Sequence, residues 1–242
     1  MSTILWQKHW APEASQTAVD FHSESYQDTV TKTRALPVAN DQMVIPDPRA
    51  YRSMSRASLI LSSLAMQAKK VLTEILSPSP FAVGVYCAVE NGPIDAATTV
   101  KILEQPEATF AESYRKVRNP KLYLKQLPNL VPAQMGISLG LLGRMNVYTH
   151  STEGSVQALE QAEWDLKTKK VHYAVVCAAS AFDDYLVVKR MRSQDMRTLA
   201  EGAAFLLLKG DGEFTDRTQT LISDSEAYFG IADPLINLVK GT

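Results

Sequence analysis

The chain has 242 residues, 45% of them hydrophobic and 21% charged, a length and balance that suit one soluble domain with a sizeable core. Lys and Arg number 25 against 26 Asp and Glu, so charge gives no argument for nucleic acid or an anionic membrane surface. Residues 1–10 are interrupted by Gln7, Lys8 and His9 and lack the apolar length of a signal peptide. No stretch approaches the ~18 apolar residues of a membrane span, so the expected location is the cytoplasm.

Residues 1–50 are mixed and rich in polar side chains, and read as an irregular N-terminal region with a short strand at 4–6. Helical spacing then becomes clear: Met54, Ala57, Leu61, Leu64, Ala65, Ala68, Leu72 and Ile75 recur at three- and four-residue steps. Ser53 or Ser55 can cap the start of this helix, and Ser77-Pro78 stops it. Residues 81–89, FAVGVYCAV, form an apolar run rich in β-formers and too short to favour a helix, so they read as a buried strand. Asn91-Gly92-Pro93 makes a turn, and 95–104 reads as a helix. The stretch 106–128 reads as irregular. Its basic residues Arg115, Lys116, Arg118, Lys121 and Lys125 share no recognisable face and suit a solvated surface.

Residues 129–142 read as a helix that tolerates Pro132 in its first turn and ends at Gly143. A short strand follows at 145–150. Ser151 or Thr152 then caps a helix whose apolar stripe is Val156, Leu159, Ala162 and Leu166. Glu153 lies at its positive end, and Lys167, Lys169 and Lys170 lie at its negative end. Residues 171–179, VHYAVVCAA, are a second buried strand, and 203–209 and 220–229 complete the pattern. Strands alternating with helices argue for a layered α/β sheet with helices on both faces, in a single domain over 1–242. Cys87 and Cys177 sit in apolar runs without a nearby thiol or metal-ligand spacing. They read as buried reduced thiols, and no metal or cofactor is expected.

Four segments, in order, resemble β-ketoacyl synthases of the thiolase-like fold. Arg52-Ser53-Met54-Ser55-Arg56, before an Ala- and Leu-rich helix, is similar to the family's R-x-M-D-R opening. Residues 81–92 are similar to the next strand and its glycine turn. Pro128-Asn129-Leu130-Val131-Pro132-Ala133-Gln134 through Leu139-Gly140-Leu141-Leu142-Gly143 resembles the P-N-x-x-A helix and its L-G-L-x-G-P terminus. Glu201-Gly202-Ala203-Ala204-Phe205-Leu206-Leu207-Leu208 resembles the G-E-G-A-G-x-x-V-L-E strand. The resemblance covers about residues 50–230. It implies a thiolase-like half, layered α-β-α with a mixed five-stranded sheet.

The family places its nucleophile in T-A-C-x-x-G, at the tip of the helix after a buried strand. Here the run is Thr149-His150-Ser151-Thr152-Glu153-Gly154, so Ser151 stands where the cysteine would be. The family's proline before this strand is Arg144. A thiolate at a helix N-terminus takes an acyl chain readily, whereas a serine alcohol needs a positioned general base. His150 is adjacent, but successive strand residues point to opposite faces; His172 begins another strand and could approach Ser151, though nothing in the sequence brings it there. The resemblance also places the family's histidine pair in a C-terminal half beyond the segments matched here. The residue type suits Ser151 as a helix N-cap rather than as a nucleophile.

The resemblance therefore implies a non-catalytic, chain-length-factor-like subunit, as in type II polyketide and aryl polyene systems. Such a subunit pairs with an active ketosynthase as a heterodimer or heterotetramer and meets acyl carrier protein only indirectly. It implies a partner interface at Met145, Asn146, Val147, Tyr148, Thr149 and His150, and acyl-tunnel candidates at Tyr123, Leu124, Leu127, Leu130, Val131 and Met135. For the tunnel candidates, filling the chain's own core is an equally open reading. One half of a thiolase-like pair leaves an apolar layer that needs a cover, and a second subunit supplies one. The rival expectations are a serine acyltransferase or hydrolase using Ser151, and a scaffold with no acyl contact.

Overall fold

The computed structural model describes residues 2–23, 28–37, 53–90, 96–118, 124–182, 185–210 and 225–241. Its main sheet has five strands, in the order β1-β8-β6-β4-β5. These are β1 (Ser2–Trp10), β4 (Val83–Val89), β5 (Met145–Tyr148), β6 (Tyr173–Ser180) and β8 (Gly202–Gly210). β4 runs parallel to β5 and β6, whereas β8 runs antiparallel to β6 and β1, so the sheet is mixed as expected. A second sheet, in the order β2-β3-β7-β9, is absent from the sequence reading. It holds β2 (Val19–Ser23), β3 (Asp28–Arg34), β7 (Thr198–Ala200) and β9 (Ala227–Tyr228).

Alternation along the central strands sends side chains to two helix layers. Val83, Val85, Cys87 and Val89 of β4, with Val175 and Cys177 of β6 and Phe205 of β8, pack under α1 (Arg56–Met66), α2 (Lys69–Leu76) and α5 (Leu130–Leu139). Tyr86, Ala88, Val176, Leu206 and Leu208 face α6 (Gly154–Lys167) and α8 (Asp233–Gly241). The remaining helices are α3 (Ala96–Leu103), α4 (Phe110–Val117) and α7 (Tyr185–Gln194). α7 packs by Val187, Val188 and Met191 on Leu199 and Tyr228, a third apolar cluster that belongs to the small sheet. Among the described residues, no helix is long and apolar enough to cross a membrane.

Several expectations are corrected. The supposedly irregular N-terminal region supplies β1, β2 and β3. The strand read at 4–6 lies within β1, which runs further because an edge strand is covered on one side only, so Gln7, Lys8 and His9 are tolerated within it. Trp6 anchors it edge-on against Phe205, with centroids 5.4 Å apart. The helix expected over 54–75 is two helices. Gln67 and Ala68 donate to carbonyls three residues back, a tight turn that separates α1 from α2. Of the two candidate caps it is Ser55 whose Oγ accepts from Ser58 N, at 3.2 Å.

The 106–128 stretch contains α4, whose stripe Phe110, Tyr114 and Val117 is masked in sequence by its charges. Arg115, Lys116 and Arg118 are exposed, as a solvated surface requires. The helix before β5 ends not at Gly143 but at Gly140, whose φ of 74° suits a residue without Cβ. Gly143 instead lets its backbone lie against the Val83 carbonyl, where a Cβ would overlap it. Cys87 and Cys177 are fully buried as read, yet they are neighbours, paired in register across β4 and β6. Burial, reinforced by the adjacent Cys87, holds the Cys177 thiol well above its usual range.

Candidate functional site

The parallel strands β4, β5 and β6 end on one side of the main sheet, and Glu90, Ser151 and Ser180 mark those ends. Ser151 precedes α6 but does not cap it, and neither does Thr152. α6 starts at Gly154, and no side chain of its N-cap residue, Glu153, serves it. His150 does that work instead: its Nδ1 accepts from Glu153 N at 3.3 Å and its carbonyl from Gly154 N at 2.8 Å. Thr152 Oγ1 lies 3.4 Å from the same ring nitrogen.

The Ser151 hydroxyl is engaged from another direction. Gln194 Nε2, from α7, donates to Ser151 Oγ at 2.6 Å, and Tyr228 OH donates to Gln194 Oε1 at 3.1 Å. No imidazole hydrogen-bonds Ser151 among the described residues. His172 precedes β6 at the opposite end of the parallel strands, about 20 Å away at the rise of an extended strand. The possibility left open for it in the sequence is thereby closed.

Glu90 lies at the same end and is only 6% exposed. Its Oε2 accepts from Arg190 Nη1 of α7 at 2.8 Å, while its Oε1 has no partner among the described residues. Burial raises its pKa, and the nearby Arg190 and His150 only partly offset that. Tyr228 is likewise pushed up to about 12, by burial first and then by Asp233, Glu90 and Asp195.

Two buried carboxylates brace the sheet, Glu201 near this end and Asp165 near the starts of β5 and β6. Glu201 is fully buried and accepts from Arg56 Nε and Nη2 along one guanidinium edge, and from Leu36 N and Phe182 N at 2.8 Å each. The arginine of one quoted motif thus meets the glutamate of another. Asp165 of α6 is the second. Its Oδ2 takes Tyr86 OH at 2.7 Å and Arg144 Nη1 at 2.8 Å; its Oδ1 takes Gln161 Nε2 at 3.0 Å and lies 3.4 Å from Lys170 Nζ. Burial would raise its pKa, but the Tyr86 hydroxyl, Arg144, Lys170 and Gln161 together lower it. Arg144, where the family has proline, therefore ties the start of β5 to α6.

The interface candidates Met145, Asn146, Val147 and Tyr148 form β5, the terminal strand of the sheet, and all four are partly exposed. Thr149 is half-buried and His150 exposed. The tunnel candidates divide. Val131 and Met135 are buried in this chain's own core, and Leu130 is half-buried. Leu124 and Leu127 are exposed, and Tyr123 lies outside the described residues. Glu90, Arg190, Gln194, Tyr228 and Asp165 carry no signal in the sequence, because only the fold assembles them.

The architecture is that of the ketosynthases, in the thiolase-like fold class. The fold is similar to a chain of a type II polyketide synthase complex, an acyl-carrier protein with its ketosynthase bound to the hexaketide, at TM-score 0.60 and 18% identity over 75% of this chain and 53% of that one. It is similar to a β-ketoacyl synthase from Burkholderia phymatum, at TM-score 0.58 and 17% identity over 76% and 50%. It is also similar to the ishigamide ketosynthase/chain length factor, at TM-score 0.52 and 16% identity over 76% and 51%. This chain spans about half the length of those chains. No family model matches the sequence, and no curated protein matches it.

Proposed function

We propose that this chain is a non-catalytic, chain-length-factor-like subunit that pairs with an active ketosynthase in polyketide, aryl polyene or fatty-acid-like synthesis. The observation that carries the reading is the state of Ser151. Its oxygen takes a hydrogen bond from the Gln194 amide, which cannot remove a proton, and the adjacent His150 uses its Nδ1 on the Glu153 backbone. An alcohol without a positioned base is a poor nucleophile at neutral pH. The terminal position of β5 supports a partner on that edge, and the exposed Leu124 and Leu127 suit a wall of the partner's acyl tunnel. That one similar structure is named a ketosynthase/chain length factor agrees with this pairing.

The test is intact-mass analysis of the chain co-expressed with a ketosynthase and supplied with acyl-loaded carrier protein. The expected result is acylation of the ketosynthase cysteine and none of this chain. An acyl adduct on this chain that disappears in Ser151→Ala would establish the serine-dependent acyltransferase instead.

A further inference from the structure

The turn between β5 and α6 is closed by one ring nitrogen. His150 is placed as a helix N-cap. Its carbonyl accepts from Gly154 N at 2.8 Å, the first bond of the helical turn, and its Nδ1 accepts from Glu153 N, three residues on, at 3.3 Å. Helix caps are ordinarily Ser, Thr, Asp or Asn, whose oxygens remain acceptors across the neutral range. An imidazole titrates between about pH 5 and 8, and once it is protonated both of its nitrogens are donors. A protonated His150 therefore has no lone pair with which to hold Glu153 N.

A second group within reach suits the protonated ring. Thr152 Oγ1 lies 3.4 Å from the same Nδ1. A hydroxyl can donate to a bare ring nitrogen and accept from a protonated one, whereas a backbone N–H can only donate. Glu153 N thus fits the neutral ring alone, and Thr152 Oγ1 fits both. His150 and Thr152 are exposed, so the proton comes directly from solvent. The charged groups about the ring are Glu90 at the end of β4, Arg190 of α7 bonded to it, and Glu153 on the turn itself. Glu90 and Glu153 favour a positive ring, while Arg190 and the positive end of α6 oppose it. These groups place the titration on the pH scale, but none of them returns a lone pair to a protonated Nδ1.

We propose that His150 is a pH-sensitive cap of α6: neutral, it closes the Ser151 turn onto the helix; protonated, it donates to Thr152 Oγ1 and releases Glu153 N. The sign follows from linkage. The capped form binds the proton less tightly than the uncapped form, so the cap is held at neutral and higher pH and is lost as pH falls through the imidazole titration. The turn carries Ser151, whose oxygen is bonded to Gln194 of α7. Acid thus frees this turn from α6 but not from α7.

Nuclear magnetic resonance of the full chain between pH 8 and pH 5 tests this. The His150 ring and the Glu153 amide should change with one common midpoint. Glu153 N, corrected for intrinsic rates, should lose protection from exchange by about three- to tenfold at pH 5, the effect of one neutral hydrogen bond. Amides of β6 are the reference and should keep their protection. In His150→Asn, whose side-chain oxygen accepts at every pH, Glu153 should stay protected throughout. Thr152→Val removes the acceptor that suits the protonated ring and should move the change to lower pH. A Glu153 amide that ignores the His150 titration overturns the proposal. So does the same pH response surviving in His150→Asn, or a change that stays in place in Thr152→Val.

Discussion

At residue 151 an alcohol does something a thiol does poorly. The Ser151 oxygen accepts a short bond from Gln194 and so ties the tip of β5 to α7, whereas sulfur is a weak acceptor. The same loop loses its best base to architecture, because the His150 ring replaces the missing cap of α6. Asp165 shows the opposite balance from Glu90. Both are buried carboxylates, but Asp165 is surrounded by four donors and its pKa is lowered, whereas Glu90 has one and its pKa is raised. A depressed pKa contributes stability above the unfolded value, about 3.9 for Asp, and that stability is lost as pH falls through the folded value. Asp165→Asn should therefore lower stability at neutral pH and flatten the acid limb of the stability curve. Urea unfolding from pH 7 down to pH 3 measures this, and an acid limb unchanged from that of the unaltered chain would contradict it.

At the scale of elements, legibility in sequence tracks burial. β4, β6 and β8 are covered on both faces, so each is a continuous apolar run that a reader can see. β1 and β5 are edge strands with partial cover; only residues 4–6 of β1 read as a strand, and β5 is picked out together with the motif that follows it. α7 carries Lys189, Arg190 and Arg192 among Val187, Val188 and Met191, and its apolar stripe fits a sheet of short strands that no sequence run announces. The candidate site divides in the same way. Ser151 is found by spacing to Gly154, whereas Glu90, Gln194 and Tyr228 come from three distant segments and meet only in the fold. One helix end is clean enough to test alone. Gly140 adopts φ 74°, and a Cβ there would touch nothing within 4 Å, so Gly140→Ala costs only backbone conformation. The expected loss is about 1 kcal/mol in urea unfolding, and a neutral result would contradict the left-handed cap.

At the scale of the molecule, the two helix layers are unequal in what they leave open. On the α1–α2–α5 side the core is dense, yet Ile137 is 72% and Leu142 58% exposed at the outer flank of α5. Gly136 of the same helix lies against Met145 of β5, so this flank and the terminal strand form one continuous border of the sheet. A strand that pairs on one side only among the described residues, beside exposed large apolar side chains, is the pattern of a surface meant to be covered. Under the proposed function its cover is the ketosynthase. Neither Ile137 nor Leu142 belongs to the core, so replacing both with Glu should shift stability little, within roughly 1 kcal/mol for two exposed positions. A charge placed in an apolar interface, by contrast, remains unpaired and desolvated there. The double variant Ile137→Glu/Leu142→Glu should therefore fold as the unaltered chain does, judged by circular dichroism and urea midpoint, while recovering far less ketosynthase on co-purification. Equal recovery with both substitutions in place would move the partner off this flank.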